Sequence, residues 1–181
     1  MKKIVFGLAL LVILGAFTAC ENPNNPNFYV PPGYENIPRL SFESEYIHTQ
    51  YLRTGSYASG FHFPIVTVIS SRSELEQYYE EHRDLFSFYN SDHSQSTFAS
   101  ATEVYTAEFF ADNFLIVVFL QENSGSNRHK VAGVFENGDI VIYRLLPEMG
   151  SADMAQWNII IELNNNSKLE EFNLVLLDKH I

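Results

Sequence analysis

The stretch Phe114-Leu115-Ile116-Val117-Val118-Phe119-Leu120 decides the fold. All seven residues are apolar, and most of them are β-branched or aromatic. A strand with one wet face would alternate apolar with polar residues, so this run predicts a central strand that is covered on both faces. A buried helical segment is the alternative. It is disfavoured because the run is short and ends at the turn-forming residues 121–125, Gln-Glu-Asn-Ser-Gly.

The residues that follow predict more strands beside the central one. Residues 128–135 and 139–146 are strand-like runs joined at Glu136-Asn137-Gly138, and the Asn-Gly pair predicts a tight hairpin turn with positive φ angles. Two further strands are predicted over residues 157–163 and 172–177, the last one mostly buried, with a loop before the first and a turn at 164–168.

The residues that precede the central stretch predict strands and one helix. Strand-like patterns lie at 40–53 and 65–69, with a turn bracketed by Gly55 and Gly60 between them. Ser71 and Glu74 have the spacing of a capping box for a helix over residues 73–83. Residues 84–101 predict a long loop and 106–111 a helical turn. The expected fold is therefore one α+β domain over residues 39–181, a mainly antiparallel β-sheet with one amphipathic helix and short helical turns.

The N-terminus predicts export and a lipid anchor. Lys2 and Lys3 precede an apolar segment over residues 4–19, which is followed by Cys20, the only cysteine. A charged start, an apolar middle and a small residue at the end are typical of a secretory signal. Cysteine directly after the small residue resembles bacterial lipoprotein signals, which implies a signal peptide over residues 1–19 and acylation of Cys20. An ordinary signal peptide is the alternative, whereas a membrane-spanning helix would need about 20 apolar residues.

Charge and composition limit the partners of the mature chain. Removal of Lys2 and Lys3 from the 11 basic residues leaves nine against 22 acidic ones, a formal charge of −13. Such a chain is repelled by nucleic acid and by anionic lipid headgroups, so the membrane is expected to be reached through the lipid on Cys20. Residues 20–38 are rich in Pro and Asn and predict an extended tether, although Phe28, Tyr29 and Tyr34 offer the alternative of docking on the domain.

Two segments are candidates for interaction. The first is a flexible loop with Ser124 and Gly125 that leads into Arg128-His129-Lys130, a set of cations that could hold a carboxylate or a phosphate. The alternative is a solvated strand start whose charges pair with Glu122 or Glu136.

The second candidate segment is residues 147–157. Met149, Asp153, Met154 and Trp157 lie close together in it, and Met and Trp are favoured at adaptable protein contacts. The alternative is that they plug the end of a sheet, with Trp157 pointing inward.

Motifs for metal binding and catalysis do not stand out. The six histidines lack the short spacings of zinc sites, and no Gly-x-Ser-x-Gly elbow occurs. No metal, cofactor or catalytic residue is predicted.

The C-terminal half resembles the C-terminal domain of the PrcB family of exported protease-complex subunits. The shared elements are Phe109-Phe110, the strand at 115–118, the Ser124-Gly125 turn, the strand at 139–143, Pro147 and the strand at 157–163. The family has a Gly-Gly-aromatic step after the serine, where this chain has Ser126-Asn127-Arg128-His129. The resemblance implies a non-catalytic lipoprotein that binds or stabilises another exported protein.

The expected function is therefore a lipid-anchored accessory protein outside the cytoplasm that contacts another exported protein and binds no nucleic acid. A lipoprotein that binds a small ligand or glycan through Tyr-rich loops is the alternative, and a hydrolase without a recognisable motif is the third possibility.

Overall fold

The computed structural model describes residues 30–40, 49–55, 62–86, 98–165 and 171–181, and they form an α+β fold with mainly antiparallel sheets, as predicted. The strands are β1 (Thr49–Gly55), β2 (Ile65–Ile69), β3 (Asn113–Glu122), β4 (Arg128–Val134), β5 (Asp139–Leu146), β6 (Ala155–Asn164) and β7 (Asn173–His180). The helices are α1 (Arg72–Phe86), α2 (Phe98–Thr102) and α3 (Phe109–Asp112).

Several predictions concern other parts of the chain. The signal peptide, Cys20, the first part of the tether, the strand residues 41–48, the turn near Gly60 and residues 87–97 and 166–170 lie outside the described residues. Among the helices of the described ranges, none has both the length and the apolar character needed to cross a membrane.

Strand β3 contains the predicted central stretch and is covered on both faces. It lies between β6 and β2 in a four-stranded sheet ordered β1-β6-β3-β2. Side chains alternate between the faces of a strand. Ile116 and Val118 point towards the second sheet, whereas Leu115, Val117 and Phe119 pack with residues of α1 and α2. All five are fully buried, which explains why the stretch has no polar member.

The sequence suggested that the later strands all lie beside β3, but the structure divides them between two sheets. Only β6 pairs with β3, while β4, β5 and β7 form a separate three-stranded sheet in the order β4-β5-β7. This second sheet packs its apolar side chains against the first one, so the fold has three layers: helices, first sheet, second sheet. Strand β7 runs parallel to β5 and is an edge strand, and therefore its side chains are partly exposed and not mostly buried as expected.

Helix α1 begins with the predicted cap. The Ser71 hydroxyl accepts a hydrogen bond from the Glu74 amide (3.1 Å), and the Glu74 carboxylate accepts one from the Ser70 amide (2.7 Å). The first bond satisfies an amide group that the first helical turn leaves without a partner, and the second ties the Glu74 side chain to the residue before the cap. The helix continues to Phe86, and α2 occupies the end of the predicted loop at 84–101. The prediction was wrong there because the buried Phe98 anchors a short helix that sequence periodicity does not reveal.

The end of the predicted tether belongs to the domain. Tyr34 packs on Phe135 with 4.6 Å between ring centroids, and its hydroxyl donates to the Asp139 carboxylate at 2.7 Å. This hydrogen bond to an anion is the main reason why the pKa of Tyr34 is raised to about 12. The Leu40 amide also donates to the Val134 carbonyl (2.9 Å). The extended tether predicted over 20–38 is therefore wrong for residues 31–38, and docking of Tyr34 is confirmed.

The β4–β5 hairpin turns at the predicted place but with different backbone angles. The Gly138 amide donates to the Phe135 carbonyl, and the Phe135 amide donates to the Asp139 carbonyl, both at 2.9 Å. Gly138 has a φ of +88°, whereas Asn137 keeps a negative φ. The connection is thus longer than a two-residue turn, and only the glycine needs the left-handed region.

Replacing Gly138 by Ala should destabilise the domain more than the same change at Gly33. Both glycines have φ near +88°, so alanine is strained at either position, at about 1 kcal/mol. At Gly138 the added β-carbon would also lie 2.6 Å from the Glu171 carbonyl oxygen, while at Gly33 nothing lies within 4 Å. Urea unfolding should show a loss of about 2–3 kcal/mol for Gly138→Ala and about 1 kcal/mol or less for Gly33→Ala. Equal losses would contradict this account of the turn.

Candidate functional site

Two loops meet at one end of the two sheets. Residues 123–127 connect β3 to β4, and residues 147–154 connect β5 to β6. Because β4 pairs with β5 and the end of β3 pairs with the start of β6, both loops lie at the same end. These are the two segments that the sequence singled out as candidates, and we call them together the loop platform.

Hydrogen bonds join the two loops of the platform. The Gly125 amide donates to the Asp153 carbonyl at 2.7 Å. The Ser126 hydroxyl accepts from the Ser151 amide (2.8 Å) and donates to the Ser151 hydroxyl (2.9 Å), which also lies 3.3 Å from the Ser124 hydroxyl. Bonds between backbone and side chain on both loops hold each loop against the other, so the platform has a defined shape.

An ion pair ties the platform to strand β1. Arg53 Nη2 lies 2.6 Å from Asp153 Oδ2. The pKa of Asp153 is lowered, first by its hydrogen bond with Ser151 and then by Arg53. A β-carbon on Gly125 would overlap the Asp153 carboxylate and lie 2.6 Å from Arg53 Nη2, so this close approach requires glycine.

The candidate residues of the platform differ in exposure. Met149 is 89% exposed and Met154 is 37% exposed, whereas Trp157 is buried, as predicted. The Arg128 guanidinium lies 5.5 Å from the centre of the Trp157 ring and donates to the carbonyls of Gly125 (2.8 Å) and Asn127 (2.9 Å). The methionines therefore project from a base that Trp157 and Arg128 hold in place.

The three consecutive residues Arg128, His129 and Lys130 do not lie on one side of the strand. Arg128 and Lys130 are exposed, but the His129 side chain is completely buried between the sheets. The hypothesis of one anion site made by all three residues is therefore wrong, and for His129 the alternative of pairing with Glu122 is confirmed. Neighbouring residues of a strand face opposite sides, so one anion could not bind all three.

Beneath the platform lies a polar cluster that we call the polar lock, in which Glu122, Asn127 and His129 are buried. It consists of Glu122, Asn127, His129, Arg144 and Asp178. The Glu122 carboxylate accepts hydrogen bonds from Asn127 Nδ2 and His129 Nε2, both at 2.9 Å. Arg144 Nη1 lies 3.8 Å from the same carboxylate, and Arg144 Nη2 lies 2.6 Å from Asp178. Residues of β3, β4, β5 and β7 are thereby connected.

The contacts of the polar lock offset the free-energy cost of burying the charge of Glu122. Burial alone would raise the pKa of Glu122, but the hydrogen bonds from His129 and Asn127 and the nearby Arg144 outweigh it, so the pKa is lowered. A buried carboxylate without such partners would cost several kcal/mol. The lock therefore fixes how the second sheet sits on the first.

The Glu122–His129 pair has the geometry of the acid and base of a catalytic triad. A carboxylate only accepts hydrogen bonds, so His129 must carry its proton on Nε2. A nucleophilic hydroxyl would have to bind the other ring nitrogen. Within the described ranges, His129 Nδ1 has no hydrogen-bond partner, and the His129 ring as a whole packs against the Trp157 ring with 5.4 Å between centroids. This arrangement favours a structural role.

Sequence reasoning missed Asn127, Arg144 and Asp178 as members of the lock. Arg144 lies directly opposite His129, and Asp178 lies opposite Arg144 in the parallel pair. The hairpin register could have suggested the first pair, but an irregularity between Val131 and Gly133 shifts it.

Among the described residues, no group of three or more His, Cys, Asp and Glu side chains could hold a metal ion. No family model, no curated protein and no solved structure matches this chain. The fold and the site thus define a two-sheet α+β domain with a preorganised pair of loops.

Replacing Glu122 by Gln should destabilise the domain by about 2–4 kcal/mol, because the amide cannot accept from both donors and leaves buried polar groups without a charge partner. Glu76→Gln on the exposed face of α1 is the matched control, expected within about 0.5 kcal/mol of wild type. Urea unfolding at neutral pH measures both.

Glu122→Gln should also change how the free energy of unfolding depends on pH. Because the pKa of Glu122 is lowered in the folded chain, the unfolded chain binds the proton first as the pH falls. The stabilisation by the Glu122 carboxylate is therefore present above the ordinary pKa of 4.5 and is lost as the pH falls below that value. The stability gap between wild type and Glu122→Gln should therefore narrow below pH 4.5. A gap that stays constant down to strongly acidic pH would contradict the assigned role of the carboxylate.

Replacing Gly125 by Ala should loosen the platform without unfolding the domain. The new β-carbon displaces the Arg53–Asp153 pair and with it the Gly125–Asp153 hydrogen bond. Hydrogen exchange should show lower protection of the amides of Gly125 and Ser151, while Ile116 in β3 keeps its protection. Gly150→Ala, which meets only the end of the Ser124 side chain at 2.9 Å, is the control and should have a smaller effect. Unchanged protection at Gly125 would argue against its close packing.

Proposed function

We propose that the chain is a non-catalytic accessory lipoprotein that is anchored outside the cytoplasm through Cys20 and binds another exported protein with its loop platform. One observation carries this proposal: the Met149 side chain is 89% exposed, although hydrogen bonds and an ion pair hold its loop in place. A large apolar side chain on a rigid base can gain contact area on binding with little loss of conformational entropy. Methionine adapts to surfaces of different shape, which suits such a contact.

The other two functions have less support. The glycan-binding alternative relied on tyrosines in loops, but Tyr105, in the loop between α2 and α3, is a core residue with 1% exposure. The hydrolase alternative would need a nucleophile bound to His129 Nδ1, and among the described residues that atom has no hydrogen-bond partner. Localisation rests on the sequence: the apolar N-terminus and Cys20 support export and acylation.

Site-specific photocrosslinking in living cells tests the proposal. A photoreactive amino acid at Met149 of the full chain should give one discrete adduct with another exported protein. Val104 is the control position, because it is 64% exposed and lies outside the platform. It should give no such adduct. The same adduct from both positions, or none from Met149, would refute the proposal.

Binding of the purified partner should then depend on the methionines. Met149→Ser with Met154→Ser should weaken binding by about tenfold or more, since two apolar contacts are lost. Thermal unfolding of the double variant should match wild type, because both side chains are exposed in the free protein. An unchanged affinity would exclude the platform as the contact surface even if an adduct forms.

A further inference from the structure

Strand β7 forms one edge of the second sheet. It pairs with β5 in parallel over all eight residues from Asn173 to His180, and the register between the two strands contains no shift. Within the described ranges, β5 is the strand with which β7 pairs. An edge strand presents backbone N–H and C=O groups to any other chain that can pair with it. The outer side of β7 is therefore a place where a further strand could be added.

Hydrogen bonds at the two ends of β7 show which backbone groups point outward. The Asn173 amide donates to the Gly138 carbonyl, and the Ile181 amide donates to the Leu146 carbonyl, both at 3.0 Å. In a parallel pair, alternate residues direct both their N–H and their C=O towards the neighbouring strand. The odd-numbered residues of β7 thus face β5, and the even-numbered ones face the open edge. The latter are Leu174, Leu176, Asp178 and His180.

The other three edge strands of the described ranges carry features that hinder further pairing. Strand β4 contains a bulge, and the Leu40 amide bonds to the Val134 carbonyl on its outer side. Strand β1 has a register shift after Arg53, and β2 has only five residues and follows Pro64. Bulges, short length and proline are the means by which natural sheets protect their edges. Residues 173–177 of β7 contain neither proline nor charge, so this edge lacks that protection.

The side chains on both faces of β7 are apolar and only partly covered. Leu174 and Leu176 pack against the core between the sheets, and Val175 and Leu177 alternate with them on the other face. All four are half-buried, because the edge leaves one side of the strand open. A strand added there would cover apolar surface on both faces of the sheet.

Charge indicates which strand fits this edge. The charged residues of β7 follow at its end, where Asp178 pairs with Arg144 and Lys179 lies over the Tyr143 ring. A charged side chain placed along residues 173–177 would lose hydration without gaining a charge partner on β7. A second copy of the chain is disfavoured, because the formal charge of −11 on each copy opposes association. The suitable occupant is an uncharged segment of another protein.

The C-terminal end of β7 lies beside the loop platform. His180 is the partner of Leu146, which directly precedes the loop of residues 147–154. Met149 follows Leu146 by three residues. From Leu174 to His180 the edge extends for about 20 Å, at about 3.3 Å per residue. A protein that contacts Met149 could therefore place an extended segment of about seven residues along β7.

We propose that the partner protein adds an uncharged strand, rich in β-branched residues, to the open edge of β7. The inference rests on the proposed function and names the mode by which the partner binds. Backbone hydrogen bonds to Leu174, Leu176 and Asp178 supply affinity, and the apolar side chains on both faces of β7 select an uncharged strand. β-branched residues suit this position because they favour the extended backbone and pack well on a sheet.

Hydrogen exchange with a synthetic peptide tests the inference at single residues. The probe is a seven-residue peptide in which valine alternates with threonine. In the free protein the amides of Leu174 and Leu176 should exchange faster than those of Val175 and Leu177, which face β5. The peptide should slow exchange at Leu174 and Leu176 by about tenfold or more. Exchange that millimolar peptide leaves unchanged at both amides would overturn the proposal.

A methylated peptide shows whether backbone pairing is responsible. Its two central residues carry N-methyl groups, and since adjacent residues of a strand direct their N–H groups to opposite edges, neither edge of this peptide can pair fully. It should bind at least about tenfold more weakly than the unmodified peptide. Equal binding of the two peptides would refute strand addition.

Two substitutions at one position locate the contact on β7. Leu176→Pro and Leu176→Ala both remove the leucine side chain, but only proline also removes the outward N–H and places a ring at the edge. Leu176→Pro should bind the unmodified peptide about tenfold more weakly than Leu176→Ala. Equal affinities of the two folded variants would refute the site. If thermal unfolding shows that Leu176→Pro is not folded, the methylated peptide decides.

Two further measurements separate this inference from the proposed function. In cells, Leu176→Pro should reduce the adduct formed from Met149 relative to Leu176→Ala. Equal yields would refute strand addition and leave the platform as the binding surface. Peptide protection of Leu174 without any adduct from Met149 would instead refute the proposed function. Sedimentation of the free protein covers the remaining occupant: a dimer that itself protects the Leu174 amide would overturn the proposal in favour of a second copy.

Discussion

The burial of the Glu122 carboxylate between two sheets is the constraint on which this structure depends. The charge is tolerated because partners from three separate segments converge on it: Asn127 from the loop and His129 from β4 form hydrogen bonds, and Arg144 from β5 forms an ion pair. An apolar core would allow the second sheet to slide with little loss, since hydrophobic contacts are not directional. A carboxylate whose donors are fixed in place would lose its hydrogen bonds if the second sheet slid. The same contacts hold the start of β4, and therefore also the base of the loop platform.

An irregularity in β4 decides which residue enters this cluster. Val134 pairs with Ile140, but Val131 pairs with Ile142, so the strand contains one extra residue between them. If the register continued from the turn unchanged, Lys130 would lie opposite Arg144, and two like charges would face each other at the sheet interface. The bulge instead turns His129 inward and Lys130 outward. The buried His129 beside Glu122 and the exposed Lys130 thus have one common structural cause.

This bulge also shows where sequence reasoning reaches its limit. The central strand, the α1 cap and the hairpin were predictable because each depends on residues close together in sequence. The division into two sheets was not, since strand patterns give burial and period but not the pairing partner, and β5 pairs with the distant β7 in parallel. The candidate loops were recognised from composition. Their hydrogen bonds and the separation of His129 from its neighbours depended on a register that no local motif encodes.

The relation between rigidity and exposure explains why contact is the function that this geometry supports best. A binding surface is most effective when little conformational freedom is lost on association. Here the Ser126–Ser151 and Arg53–Asp153 contacts order the loops before any partner arrives, while Met149 stays in solvent. The loop platform thus presents an exposed apolar side chain on an ordered base, which is the feature that the proposed contact would use.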